Sequence, residues 1–192
     1  MPQLILGSTS PFRKALLDKL GIPFTTDPPH TDESRLPGES PDQLVQRLAE
    51  AKAREVATRH PNALIIGSDQ VACVNGSILG KPGNRENAIA QLSASVGKTV
   101  AFHTGLCLYN SAGSRRQIAV EHFSVRFRDL TTDQIERYVD RERPFDCAGS
   151  FKSEGFGITL FSSLDGRDPN ALVGLPLIML VEMLAAEGII LP

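Results

Sequence analysis

Ala63-Leu64-Ile65-Ile66-Gly67-Ser68-Asp69-Gln70-Val71-Ala72-Cys73-Val74-Asn75-Gly76-Ser77-Ile78-Leu79 carries two different β signals in one stretch. Ala63 to Ile66 is a continuous apolar run, the pattern of a strand covered on both faces. Val71 to Leu79 reads as a hairpin, because Asn75-Gly76 supplies the two positive φ values of a tight turn. A doubly covered strand followed by an antiparallel hairpin predicts an α/β chain with a mixed sheet.

Working outward towards the N-terminus, Leu4-Ile5-Leu6 is another short buried strand. It is followed by Ser10 as helix cap, Pro11 at the first helical position and Gly21 as terminator. Pro28 to Pro41 is rich in Pro, Asp, Glu, Ser and Gly and predicts a long surface loop, after which Ser40-Pro41 opens a helix reaching about Arg59. Towards the C-terminus, a helix is predicted near Asn84 to Ser95. Thr99 to Tyr109 and Gln117 to Phe127 are β-rich and joined by a hairpin loop at Asn110 to Ser114. Thr131 caps a helix to about Arg141. A glycine-rich segment, Gly149 to Gly157, precedes an apolar strand, a polar loop through Asp165 to Asn170, and a last helix from about Leu175 to Glu187. No repeat or linker interrupts the 192 residues, so one domain spanning 1–192 is expected.

Composition excludes several classes. With 41% hydrophobic residues the chain is neither disordered nor collagen-like. Twenty Lys and Arg against 22 Asp and Glu leave a formal charge of −2, without the basic excess that binding duplex nucleic acid requires. Cys73, Cys107 and Cys147 lack zinc or redox spacing, and His30, His60, His103 and His122 lack metal-ligand spacing. The longest apolar stretch, Leu172 to Val181, is interrupted by Pro176 and ends at Glu182. A cytoplasmic protein in a reducing compartment, away from membranes, is expected.

Candidate functional residues are those that packing alone does not explain. Leu44, Leu48 and Lys52 lie at successive steps of four on one helix, with Val45 and Val56 on the same stripe and Arg47, Glu50 and Arg54 opposite. Lys52 therefore either packs its stem and snorkels outward or faces a pocket as a phosphate ligand. Asp69 follows a buried strand, where α/β proteins bind ligands. It either bonds its own turn or serves as metal ligand or general base. Lys81, beside Gly80, is a loop cation. Arg13 and Lys14 sit in a first helix turn that Ser8, Thr9 and Ser10 make a natural anion site. Asp32-Glu33 is either solvated or a cation ligand. Cations and carboxylates on separate loops around strand ends suggest a phosphate-and-metal pocket.

Leu6-Gly7-Ser8-Thr9-Ser10-Pro11-Phe12-Arg13, Thr31-Asp32-Glu33, Ala51-Lys52-Ala53, Gly67-Ser68-Asp69-Gln70 and Gly80-Lys81-Pro82 occur in one order. Together with Thr104-Gly105, Ala148 to Gly155 and Asn170 to Pro176, this series resembles the Maf family of nucleotide pyrophosphatases over nearly the whole chain. The resemblance implies a single domain with a mixed twisted sheet and flanking helices, like that of inosine triphosphatases, and a cleft at strand ends. It also implies hydrolysis of a nucleoside triphosphate between its α and β phosphates, aided by Mg, Mn or Co, in a homodimer.

On the same pattern Asp69 matches the catalytic acidic position and Glu33 a residue near the metal. Arg13, Lys52 and Lys81 match positions lining the phosphate pocket, with Ser8 beside them. Phe12, Gln70 and Glu154 are similar to the subfamily acting on 7-methyl-GTP, whose positively charged base suits an aromatic ring and a carboxylate. Glu154 has a plainer reading as a loop carboxylate paired with Lys152. Members of that subfamily usually carry Trp where this chain has Phe12, which keeps a pyrophosphatase of broader base selection in view. A nucleotide-binding regulator of septum formation would share the pocket.

Overall fold

The computed structural model describes residues 2–192; Met1, where the expected domain begins, lies outside them. The elements follow as β1 (Gln3–Gly7), α1 (Pro11–Asp18), β2 (Thr25–Thr26), α2 (Pro41–Ala57), β3 (Ala63–Val74), β4 (Ser77–Leu79) and α3 (Arg85–Ser95). The second half holds β5 (Thr99–Asn110), β6 (Arg115–Phe127), α4 (Thr132–Glu142), two 3-10 turns (Ala148–Ser150 and Phe156–Leu160), β7 (Phe161–Gly166), the single turn α5 (Asn170–Val173) and α6 (Leu177–Ala186). Among the described residues, seven strands make one sheet of order β2-β1-β3-β5-β6-β7, with β4 on β3. β1 runs parallel to β2 and β3, whereas β4 is antiparallel to β3 and β7 to β6. The expected mixed α/β sheet is therefore present.

Local chemistry explains the boundaries. Ser10 accepts the Arg13 amide and Pro11 begins α1; Ser40 and Gln43 form a reciprocal capping box around Pro41 at the start of α2. Asn84 and Thr131 cap α3 and α4. Asn75 and Gly76 turn the β3–β4 hairpin with φ of 50° and 77°, as the Asn-Gly pair predicts.

Two expectations need correction. Gly67-Ser68-Asp69 does not end a strand at Ile66: β3 runs unbroken to Val74. The strand that ends is its neighbour β1, whose Gly7 pairs with Gly67, so Ser68, Asp69 and Gln70 lie beyond that end. Similarly, Asp165 and Gly166 belong to β7 through pairing with Ser124 and Phe123, and the polar loop shrinks accordingly.

The chain divides into two compact units. The first takes the residues up to Gln70 with Thr104–Glu121 and Asp168–Pro192, and the second takes Val71–His103 with His122–Arg167. In the first unit, strand alternation sorts side chains onto two faces. Leu4, Leu6, Leu64, Ile66, Leu106 and Leu108 pack with α1 and α6, while Ile5, Ala63, Ile65, Cys107 and Tyr109 pack with Ala49, Ala53 and Val56 of α2. In the second unit, Phe102, Phe127, Phe151 and Phe161 meet edge to face at centroid distances of 4.8–5.8 Å, the arrangement that ring quadrupoles favour.

Close approach of α2 to the sheet explains Gly67 and Gly105. A Cβ at Gly67 would overlap the Ala49 carbonyl and come 2.9 Å from Ala53 Cβ, and one at Gly105 would overlap the Val45 carbonyl. Gly67→Ala or Gly105→Ala is therefore expected to destabilise the fold by about 1–3 kcal/mol, the usual cost of overpacking. A thermal melt checks this, and an unchanged Tm would show that the helix has room to spare.

Candidate active site

The same close approach lets an α2 side chain reach into β3. Lys52 lies on the buried stripe with Leu48, Ala49 and Val56 and is only 5% exposed. Its Nζ donates to Asp69 Oδ1 at 2.6 Å and sits 2.7 Å from Glu33 Oε1. The snorkelling reading of Lys52 fails, because such an ammonium would end in water, whereas this one ends on Asp69 and Glu33. Asp69, 7% exposed, is turned to the α2 side of the sheet by the alternation of β3. Glu33 comes from the loop and keeps most of its side chain accessible.

That loop is held rather than loose. Glu39 receives Arg47 Nε at 2.6 Å and Nη2 at 2.9 Å and the Leu36 amide at 3.1 Å, while Arg47 Nη2 also donates to the Ser34 carbonyl. The Arg47 hydrogen bonds pull the Glu39 pKa down to about 2. Ahead of Glu33, the Thr31 hydroxyl is buried without a hydrogen-bond partner, which leaves a polar group beside the acidic loop for water or ligand to satisfy.

Arg13 enters from the first turn of α1. Its Nε donates to the Gly174 carbonyl at 2.8 Å, and the buried Ser68 hydroxyl donates to the same oxygen at 2.8 Å. Desolvation lowers the Arg13 pKa below its ordinary value, against the opposing fields of Asp69 and Glu33. Ser8 accepts the Ser10 amide at 3.1 Å and so braces the turn that leads into α1. Phe12, next to Arg13, is 36% exposed. Gln70 commits its amide nitrogen to Thr104 Oγ1, Ala171 O and Leu172 O at 3.0, 2.6 and 3.3 Å.

Lys81 and Glu154 belong to the second unit. The Lys81 loop is tied to α3, where Gln91 donates to Gly80 O and Asn87 to Pro82 O. Glu154 is exposed and does not pair with Lys152, whose Nζ donates to Glu142 O at 2.6 Å. Burial raises the Cys147 thiol to about 11, with Glu154 raising it further while Lys152 and Lys81 lower it. The thiol is thus protonated at neutral pH, which argues against a cysteine nucleophile.

Sequence reasoning missed what fixes the segment to which Gln70 and Arg13 bond. Asp168 is fully buried and accepts the Asn170 amide, Asn170 Nδ2 and the Ile178 amide, each at 2.8 Å. Thr104 donates to Ala171 O at 3.0 Å. The signal available was an Asp-Pro-Asn run just before an apolar helix, which reads equally well as an ordinary polar loop.

The α/β fold is similar to that of the Staphylococcus aureus Ham1 protein, with a TM-score of 0.56 at 15% identity over 96% of this chain and 99% of that one. At that identity the likeness defines the fold. A family model described as Maf-like protein matches residues 3–187, and the chain belongs to this family. Relatives named 7-methyl-GTP pyrophosphatase are 61% identical in Alcanivorax borkumensis, over 100% of this chain and 97% of that protein. Others of that name are 59% identical in Vibrio vulnificus and 58% in Idiomarina loihiensis, each over 97% of this chain and 95% of the relative.

Proposed function

We propose that the chain is a nucleoside triphosphate pyrophosphatase, one Maf-like domain over residues 1–192, that hydrolyses 7-methyl-GTP to 7-methyl-GMP and pyrophosphate. The observation that carries this reading is the buried Lys52 between Asp69 and Glu33, in a chain 58–61% identical to proteins named for that reaction. Water adds across the α–β anhydride, and Asp69 is the base that accepts its proton. Arg13, Lys52 and Lys81 offset the charge of the triphosphate, with Ser8 at the adjoining helix entrance.

A divalent cation, Mg, Mn or Co, belongs to this reading, and the residues fit one. Asp69 and Glu33 already turn carboxylate oxygens onto a single positive charge, and oxygen donors suit hard cations. These two would hold the ion, which when bound supplies Lewis-acid polarisation of phosphoryl oxygens. Phe12 offers a partly exposed ring for the cationic base, Glu154 a carboxylate, and Gln70 braces the site from below. The enzyme proposed is a cytoplasmic homodimer that does not bind duplex nucleic acid. The −2 charge supports the lack of duplex binding, and no helix among the described residues is long and apolar enough to cross a membrane.

Phe12 in place of Trp favours a second reading, a pyrophosphatase of broader base choice. Pyrophosphate release from 7-methyl-GTP, GTP, dTTP, UTP and CTP, with and without Mg or Mn, separates them. Phe12→Arg and Glu154→Gln are expected to lower the preference for the methylated base by about tenfold, the scale of one cation–π or charged contact, with hydrolysis of other nucleotides less affected. Equal turnover of all five nucleotides would support the broader enzyme. Binding without turnover would support a nucleotide-dependent regulator of septum formation.

A further inference from the structure

Arg13 lies in the field of two carboxylates, yet its Nε bonds to a neutral oxygen, the Gly174 carbonyl. That carbonyl takes a second donor, Ser68 Oγ, at the same 2.8 Å, which fills both of its lone pairs. Ser68 is 1% exposed, so its hydroxyl is withdrawn from bulk water. We infer that Ser68, acting through the Gly174 carbonyl, is the positioning residue that orients Arg13 for phosphate, an inference that rests on the phosphate-binding reading of this site.

Alternation along β3 makes the arrangement possible. Asp69 faces α2 and Lys52, whereas Ser68 and Gln70, on either side of it, face the segment 168–174. One strand thereby supplies the acid on one face and the bracket for the guanidinium on the other. The bracket is rigid because Asp168 takes three hydrogen bonds inside it, and Gln70 and Thr104 hold its Ala171 carbonyl. Gly174 has φ of 110°, and a Cβ there would lie 3.2 Å from Arg13 Nε, so glycine both permits the turn and makes room for the guanidinium. Fixing Nε sets the guanidinium plane and leaves the Nη hydrogens for a phosphate, whose recognition by arginine depends on that plane.

The test is calorimetric titration with inorganic pyrophosphate of wild type, Ser68→Ala, Arg13→Ala and the double variant, alongside thermal melts. Ser68→Ala is expected to weaken pyrophosphate binding about tenfold, the scale of a hydrogen bond that orders a charged donor. In the Arg13→Ala background the same change is expected to add less than about twofold, since residues acting through one another are not additive. Ser68→Cys, similar in size and a weaker donor, should fall between, and it serves if Ser68→Ala does not fold. Losses that multiply, a Ser68→Ala protein that binds like wild type, or a wild type that does not bind pyrophosphate would each overturn the inference. Pyrophosphate binding with the expected coupling, but without turnover of any nucleotide, would instead count against the proposed reaction and leave the positioning role standing.

Discussion

Asp69→Asn is expected to lower turnover by about 10²–10⁴-fold, the usual contribution of a positioned acid–base group, with the fold retained and a smaller loss of Tm than Lys52→Met, because Glu33 still faces the ammonium. The substitution is isosteric, and the side-chain amide would still offer an oxygen to Lys52 Nζ from the same place on β3. What disappears is the negative charge. A neutral amide neither accepts a proton from water nor holds a hard cation well. Steady-state kinetics with circular dichroism on the same preparation checks this, and activity within about threefold of wild type would remove Asp69 from the chemistry. Titrating Mg or Mn into the variant then separates the two roles of the carboxylate. Partial recovery at high metal concentration is expected of a lost ligand, whereas a loss that no metal concentration reverses is expected of a lost base.

How far the site could be read in advance depends on whether each partner is local in sequence. The capped start of α2 and its step-of-four stripe put Lys52 on an inward face, and its burial follows. Asn75-Gly76 makes its hairpin from two residues alone. Gly67 misled because a glycine before Ser and Asp has the look of a turn. Its real cause is the Ala49 carbonyl on a helix elsewhere in the chain, and no local signal reports that contact. Lys152 misled in the same way, for its Nζ is taken by the Glu142 carbonyl rather than by nearby Glu154. The Ser68–Gly174 bond joins residues 106 positions apart, and nothing in either neighbourhood announces it. Charged and patterned residues were thus readable; the neutral carbonyls that aim them were not.

Lys52→Met is expected to be nearly inactive and also less stable, and the two losses have different causes. The ammonium is 5% exposed and bonded to a carboxylate that is 7% exposed. Removing one partner of a buried pair leaves the other charge without compensation, at a cost of about 3 kcal/mol, or roughly 6–12 °C in Tm for a chain of this size. Adding Asp69→Asn to Lys52→Met removes the stranded charge, so the double variant should regain most of the lost Tm while remaining inactive. Mg offers a second way to satisfy the carboxylates. On the proposed reading, a cation held by Asp69 and Glu33 would compete with Lys52 for these carboxylates in wild type and not in Lys52→Met. Millimolar Mg should therefore raise the Tm of Lys52→Met more than that of wild type, and should have little effect on the double variant. An unchanged Tm in Lys52→Met would mean that the pair is solvated in the free protein. An Mg effect equal in all three proteins would mean that the ion binds elsewhere, and that Asp69 serves the reaction as a base alone.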